Sequence, residues 1–258
     1  MHQAPVLELG GFNFDLSTIG VTVVTFLITF IVAKVMTRNL SVENPSKMQN
    51  FMEWVVEFVQ GIATSSMPLK KAKAYVSLGM TLIMFIFIAN ILGLPFAVIT
   101  EHPEPVKVAG LTIVSEEAVQ KGIEKGHHGA EILWWKSPTA DISVTLGLAL
   151  VVFFLIHFLG LKLNTKHYLK HYMEPYAIFF PLNILKEVMK PITLAIRLYA
   201  NIFAGEILIS TIIMAGVFGI PLLAVWQGFS IFIGAIQAFL FTVLTMVYIS
   251  QATIHEEH

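Results

Sequence analysis

Arg197 is a charged residue in a stretch of sequence that is apolar enough to lie in a lipid bilayer, the run from Pro191 to Ser210. An arginine keeps its charge in proteins, and at bilayer depth that charge costs from about 3 to above 10 kcal/mol. A charge kept at such a cost indicates a functional site and requires a partner of opposite charge. The chemistry open to it is electrostatic, since it can stabilise an ionised carboxylate.

Glu206 lies in the same run, but helix geometry separates it from Arg197. At about 100° per residue, the nine intervening steps place the two side chains roughly 180° apart and about 13 Å along the axis. Asn201, four residues after Arg197, shares the face of the arginine, as does Leu194. We therefore expect the counter-charge of Arg197 to come from another protein.

Polar residues form stripes along the apolar C-terminal part of the chain. Arg197 lies in one stripe and Glu206 in another on the opposite side of the same predicted helix, whereas the last helix carries Ser230 and Gln237 on one face. Such groups must be paired or hydrated in hydrocarbon. They indicate either two hydrated paths, one on each side of Arg197, or contacts that hold the helices together. A buried carboxyl such as Glu206 can be neutral and structural, or it can carry protons.

Asn90 and Asp141 lie near the ends of two other predicted spans, where a vestibule would open to one side of the membrane. The alternative for Asp141 is a local role, because an acid stabilises the N-terminus of a helix. Ser137 is the expected N-cap of that helix, with Pro138 as its first residue.

The composition predicts a polytopic membrane protein. Of the 258 residues, 56% are hydrophobic and 13% are charged, against about 45–50% and about a quarter in soluble domains. A net charge of −1 gives no indication of nucleic-acid binding, and the absence of cysteine excludes disulfides. No nucleophile or metal-ligand constellation is visible, so we expect no active site, metal or cofactor within the chain.

The apolar runs predict an all-α membrane domain, with about five membrane-crossing helices and one interfacial helix. The predicted spans are residues 16–36, 74–99, 138–161, 176–218 and 221–251. Residues 46–67 predict an amphipathic helix that lies along the membrane surface. Residues 100–137 predict a polar external loop or a small hairpin.

The last two predicted helices are too long to cross a bilayer upright. They contain about 43 and about 31 residues, or roughly 64 and 46 Å, against a hydrocarbon core of about 30 Å. We expect a long, strongly tilted hairpin that breaks at Gly219–Pro221, with Pro181 and Pro191 bending its first helix.

Lysine and arginine residues concentrate in the connections after the first and third spans. The positive-inside rule therefore predicts an external N-terminus and a cytoplasmic C-terminus.

The runs Arg197–Glu206 (RLYANIFAGE) and Gln237–Tyr248 resemble subunit a of the F-type ATP synthase. Pro138–Asp141 and Asn90–Pro95 resemble the same family, and the resemblance extends from about residue 16 to the end of the sequence. It implies a multi-pass, non-catalytic stator subunit of a bacterial plasma membrane, which provides two proton half-channels to and from a rotating ring of c subunits. It also implies contacts with the b-subunit peripheral stalk and the rest of the complex.

The resemblance assigns Arg197 as the essential arginine that faces the carboxylate of the ring. It places Asn201, Glu206 and Gln237 on the proton path, with Asp141 and Asn90 towards the outside. Some family members have a histidine seven residues before the glutamine; here that position is Ser230, so water would replace a titratable relay. The alternative from the residues alone is a secondary transporter, but the internal repeats typical of that class are not visible.

Overall fold

The computed structural model describes residues 5–9, 12–93, 99–108, 111–124, 128–171 and 176–253, most of which belong to long apolar helices. In chain order the helices are α1 (Leu16–Met36), α2 (Lys47–Ser66), α3 (Leu69–Ala72), α4 (Val76–Leu92), α5 (Glu116–Glu124), α6 (Ile142–His171), α7 (Phe180–Met214) and α8 (Gly219–Thr253). Four of the described helices, α1, α6, α7 and α8, are long and apolar enough to cross a membrane, and α4 is a shorter apolar helix. The predicted class of helical polytopic membrane protein is confirmed.

Short strands add to this helical architecture outside the apolar helices. They are β1 (Val6–Leu9), β2 (Phe12–Asp15), β3 (Ile99–His102), β4 (Val106–Val108), β5 (Leu111–Val114) and β6 (Ala130–Leu133). They form three antiparallel pairs, β1 with β2, β3 with β6, and β4 with β5. The predicted loop 100–137 thus contains two strand pairs and α5, and the β1–β2 hairpin was not anticipated.

All five apolar helices share one end of the bundle, at which α1, α6 and α8 begin and α4 and α7 end; we call it the loop end. The segment after β6 closes this end through main-chain hydrogen bonds. The hydroxyl of Ser17 donates to the Trp134 carbonyl at 2.8 Å, and the indole N–H of Trp135 donates to the Leu92 carbonyl at 2.8 Å. The predicted end of the second span, residues 94–98, lies outside the described residues.

Helix α8 packs against α2, α4, α6 and α7 and forms the centre of the core. Close approach between three of these helices requires Gly79. A Cβ atom at that position would lie 2.7 Å from Val59 Cγ1 and 2.8 Å from Met246 Cε. The missing side chain therefore allows α2, α4 and α8 to meet.

The amphipathic helix α2 has one polar residue, Gln49, on its buried side. Gln49 is buried, accepts from the Ser41 backbone N–H at 3.0 Å and donates to the Ser41 carbonyl at 3.0 Å. Its two polar atoms are thus satisfied by the preceding loop, which explains why an amide can lie on the buried side. The exposed side of α2 carries the aromatic residues Phe51 and Trp54.

The α7–α8 hairpin turns at residues 215–218, earlier than the predicted break at Gly219–Pro221. Gly216 has a φ of 62°, in the left-handed region that favours glycine, and a Cβ on Gly219 would lie 2.3 Å from the Ile212 carbonyl oxygen. Pro181 lies in the first turn of α7, where it does not bend the helix. Each helix has 35 residues, so each is about 52 Å long and cannot stand upright within a hydrocarbon core of about 30 Å.

Candidate functional site

A cavity of about 430 Å³ lies near the loop end, between α4, α7, α8 and the segment that precedes α6. Its volume can hold on the order of ten water molecules. Apolar side chains contribute much of its wall. The polar residues that line it are Asn90, Ser137, Asn201, Glu206, Thr211, Trp226 and Ser230. Four of the predicted site residues therefore border one space.

Glu206 is the ionisable residue among those lining the cavity. Its side chain is partly buried, and two neighbouring residues of the segment before α6 act on its carboxylate. The backbone N–H of Ser137 serves as a hydrogen-bond donor to it, and the Lys136 ammonium attracts it electrostatically. A carboxylate with a donor beside it and a space large enough for water can accept and release protons.

Asn90 closes one wall of the cavity through a buried hydrogen-bond network. Its side-chain nitrogen donates to the Gly234 carbonyl at 3.0 Å, and its side-chain oxygen accepts from the Thr139 hydroxyl at 2.6 Å. The Ser137 hydroxyl donates to the Ala89 carbonyl at 3.0 Å and pairs with the Thr139 hydroxyl at 2.7 Å. This network ties α4 to α8 and to the segment before α6.

Ser137 was predicted to cap the helix that begins at Pro138, and this prediction is wrong. Residues 138–140 form a single 3₁₀ turn, Ser137 makes no side-chain capping bond there, and α6 begins at Ile142. The Ser137 hydroxyl binds the Ala89 carbonyl of α4 instead. A long-range bond has thus replaced the local cap.

Asp141 combines a local bond with a long-range one. Its carboxylate accepts from the Ser143 backbone N–H at 2.9 Å, as expected near a helix start, and from the Thr18 hydroxyl at 3.2 Å. The Lys136 ammonium lies 3.1 Å from the Asp141 carboxylate and 2.6 Å from that of Asp15, the residue that caps α1. These contacts join three segments at the loop end.

The surroundings of Asp141 and Lys136 favour the charged form of each side chain. Burial raises the pKa of Asp141, but the Ser143 N–H and the Lys136 ammonium outweigh burial and hold it below its ordinary value. Burial likewise opposes the charge of Lys136, but Asp15 and Asp141 outweigh it and raise the pKa of Lys136.

Arg197 lies on an exposed face of α7, away from the lining of the cavity. Ile196 is 49% exposed beside it, whereas Leu194 and Leu198 are buried at 4% and 1%. In the part of the chain that the structure describes, no carboxylate forms an ion pair with Arg197. An unpaired guanidinium on an apolar outer face is the arrangement expected for a residue whose partner belongs to another protein.

The face of α7 that carries Arg197 continues towards the opposite end of the bundle with further charged groups. The Lys190 ammonium lies 2.5 Å from the Glu187 carboxylate and 5.0 Å from the centre of the Tyr248 ring. Arg197 is within electrostatic range of the Tyr248 hydroxyl. Polar side chains of α7 and α8 therefore meet on the side of Arg197 that lies away from the cavity.

The sequence profile of a family described as ATP synthase A chain matches residues 17–250. A protein from Anoxybacillus flavithermus described as ATP synthase subunit a is 45% identical over 99% of both chains. A protein of the same description from Priestia megaterium is 42% identical over 96% of both chains. Another, from Listeria monocytogenes, is also 42% identical, over 100% of this chain and 99% of the relative. The chain belongs to the ATP synthase A chain family. The resemblance expected from the sequence is thus confirmed, and family membership favours the stator over the secondary transporter.

In this member of the ATP synthase A chain family, two predicted site residues, Asn201 and Gln237, lie where the helical periodicity of the sequence did not place them. Asn201 was grouped with Arg197, yet it lines the same cavity as Glu206. The cavity is wide enough to reach both polar stripes of α7. Gln237 is half-buried on α8, two turns beyond Ser230 and outside the lining of the cavity.

Sequence reasoning missed several residues at the site: Asp15, Lys136, Ser137 as a donor to Glu206, Thr139 and Trp226. The indole N–H of Trp226 is buried at the cavity and has no hydrogen-bond partner among the residues that the structure describes, which leaves a donor for water or a ligand group. The Pro138–Asp141 run was the available signal for Thr139. The pairing of Lys136 with Asp15 joins residues 121 positions apart and leaves no periodic pattern.

Proposed function

We propose that the chain is the membrane stator through which protons pass to and from a rotating ring of c subunits in an F-type ATP synthase. The observation that carries the proposal is the separation of two polar features on α7. Glu206 lines a cavity at the loop end, whereas Arg197 lies on an exposed face without a carboxylate partner among the described residues. In a member of this family, the separation supports a proton half-channel on one side of a ring-facing arginine.

In this proposal the loop end faces the cell exterior. The lysine and arginine bias supports that orientation, with an external N-terminus and a cytoplasmic C-terminus in a bacterial plasma membrane. Protons then pass Asp141 and Asn90, enter the cavity and reach Glu206. Ser230 and Asn201 border the same cavity, so water in contact with them can complete the path without a histidine.

Glu206 passes its proton to a carboxylate of the ring, which becomes neutral and can turn into the lipid. A ring carboxylate that returns to Arg197 loses its proton, because the guanidinium stabilises the ionised form. Arg197 also repels protons that would otherwise cross directly between the two paths. The driving force is about 2.3 kcal/mol per charge per 100 mV of membrane potential.

Protons leave through a second half-channel at the end of the bundle opposite the cavity. The polar contacts of Lys190, Glu187 and Tyr248 support its position between α7 and α8, and Gln237 lies on the α8 side of the path. The b-subunit peripheral stalk and the remaining subunits are the other expected partners.

The test is Glu206→Gln in the assembled complex, measured as ATP-driven proton pumping in inverted membrane vesicles. The amide cannot carry a proton, so we expect pumping to fall about tenfold or more while assembly is retained. Glu117→Gln is the matched control, because Glu117 is an exposed acid that forms an ion pair with Lys121, four residues away on the same helix. Normal pumping by Glu206→Gln, with the pH dependence of the parent, would contradict the proposed role.

A further inference from the structure

Lys136 is held in one place by two acids from different parts of the chain. Its ammonium lies 2.6 Å from the Asp15 carboxylate and 3.1 Å from the Asp141 carboxylate, and its side chain is only 17% exposed. Asp15 is itself fixed, because it accepts from the backbone N–H of Thr18 at 3.0 Å and from its hydroxyl at 2.8 Å. The charge of Lys136 therefore occupies a defined position.

That position is the rim of the cavity that contains Glu206. The next residue, Ser137, lines the cavity and directs its backbone N–H at the Glu206 carboxylate. The Lys136 ammonium in turn attracts that carboxylate. Two consecutive residues thus connect the acidic pair at the loop end to the cavity.

We propose that Lys136 is a positioning residue for proton uptake, whose fixed charge at the cavity rim sets the range of external pH over which protons reach Glu206. The inference rests on the proposed function and adds to it a residue of the segment before α6. The charged groups that face Lys136 among the described residues are Asp15 at the start of α1, Asp141 before α6 and, at longer range, Glu206 of α7.

The sign of the effect follows from the charges. Asp15, Lys136 and Asp141 together carry a net charge of −1, and loss of the lysine changes it to −2. A positive charge favours the ionised form of a nearby carboxyl group, and additional negative charge favours the protonated form. Without Lys136, the carboxyl groups along the path would therefore bind protons at a lower external proton concentration. Proton uptake would then reach its maximum at a higher external pH.

The experiment measures ATP synthesis by complexes reconstituted in liposomes with the catalytic head outward. The lumen then corresponds to the cell exterior, and its pH is varied at a fixed potential and a fixed outer pH. Lys136→Met should move the midpoint of the lumenal pH profile upward by about half a pH unit or more, whereas Lys136→Arg should keep it. Lys121→Met is the matched control, because Lys121 is an exposed lysine of the same polar region that pairs with Glu117.

Two further variants separate charge from structure. Asp15→Asn should move the midpoint downward, since it removes a negative charge and asparagine still caps a helix. The double variant Lys136→Met with Asp15→Asn lacks the Lys136–Asp15 ion pair but restores the net charge of −1, so its midpoint should return towards that of the parent. If Lys136→Met fails to assemble, the Asp15→Asn shift tests the same claim.

An unchanged midpoint in Lys136→Met, or no downward shift in Asp15→Asn, would overturn the inference. A double variant that behaves like Lys136→Met alone would assign the lysine a purely structural role and would also overturn it. These outcomes are distinguishable from failure of the proposed function. That failure would appear as normal proton pumping in Glu206→Gln.

Discussion

The side-chain nitrogen of Asn90 donates a hydrogen bond to the backbone carbonyl of Gly234 across 3.0 Å, which joins α4 to α8 at the cavity wall. Asn90 is only 3% exposed, and the helix carbonyl that it contacts is reachable because Gly234 has no side chain. A Cβ on Gly234 would lie 3.1 Å from Asn90 Cβ and 3.5 Å from its nitrogen. The Asn90 hydrogen bond therefore requires a residue without a side chain at position 234.

Gly234→Val is expected to displace Asn90 from the carbonyl and to destabilise the complex. The loss should be about 1–3 kcal/mol, because a buried donor loses its acceptor and the added methyl groups crowd the helix contact. The measurement is the temperature at which the detergent-solubilised complex loses ATPase activity that is coupled to the membrane sector. Gly147→Val is the control, since a Cβ at Gly147 meets no atom within 4 Å. Equal thermal stability of the two variants would contradict the prediction.

Arg197 is expected to serve coupling rather than folding, because its side chain lies on an exposed face of α7. Arg197→Ala should assemble, lose ATP synthesis and conduct protons passively through the membrane sector. Arg197→Lys should substitute poorly, since an ammonium is more strongly hydrated and can lose its proton when buried. Both are checked by ATP synthesis and by acidification of vesicles stripped of the catalytic head. Robust ATP-driven pumping by Arg197→Ala would remove the arginine from the mechanism.

The exposed face beside Arg197 is expected to contact the ring. Cysteines at Ile196 or Ala200 should form disulfides with cysteines that flank the ring carboxylate, because both positions are exposed. Leu198, at 1% exposure, is the control that should not crosslink. The helical wheel also placed Leu194 on the arginine face, but Leu194 is buried in the core and is a poor site for this test. Crosslinking confined to Leu198 would show that another face of α7 meets the ring.

The orientation predicted from the basic residues can be tested with single cysteines, since the chain has none of its own. Exposed positions suit the reagent best, so we select Glu43, Glu104 and Thr165. An impermeant maleimide added to intact cells should label Glu104→Cys alone, and opening the cells should expose the other two. Labelling of Glu43→Cys from outside would invert the topology.

Hydrophobic run length gave the helices within a few residues in several places. The first span was expected at 16–36, and α1 occupies Leu16–Met36. Run length did not locate the start of α6, because Ser137 and Thr139 bind α4 and residues 138–140 form a separate turn. Such bonds join distant parts of the chain, so they leave no periodicity in the sequence.

Contacts between distant parts of the chain also limited what could be predicted about the site. Arg197 and Glu206 stood out because charged groups are rare in apolar runs. Lys136 lies in a polar stretch where lysines are ordinary, and its significance depends on Asp15 and Asp141 being 2.6 and 3.1 Å away. A charge can thus be identified from sequence when its surroundings are apolar, but not when its partners are brought to it by folding.

The position of α8 in the core has a consequence for biosynthesis. This helix supplies Trp226, Ser230 and the Gly234 carbonyl to the cavity and its wall, and it leaves the ribosome after all the other described helices. A nascent chain that has inserted α1 to α7 therefore lacks one side of the cavity. The proposed proton path can therefore be completed only after α8 has been synthesised and has packed against α4 and α7.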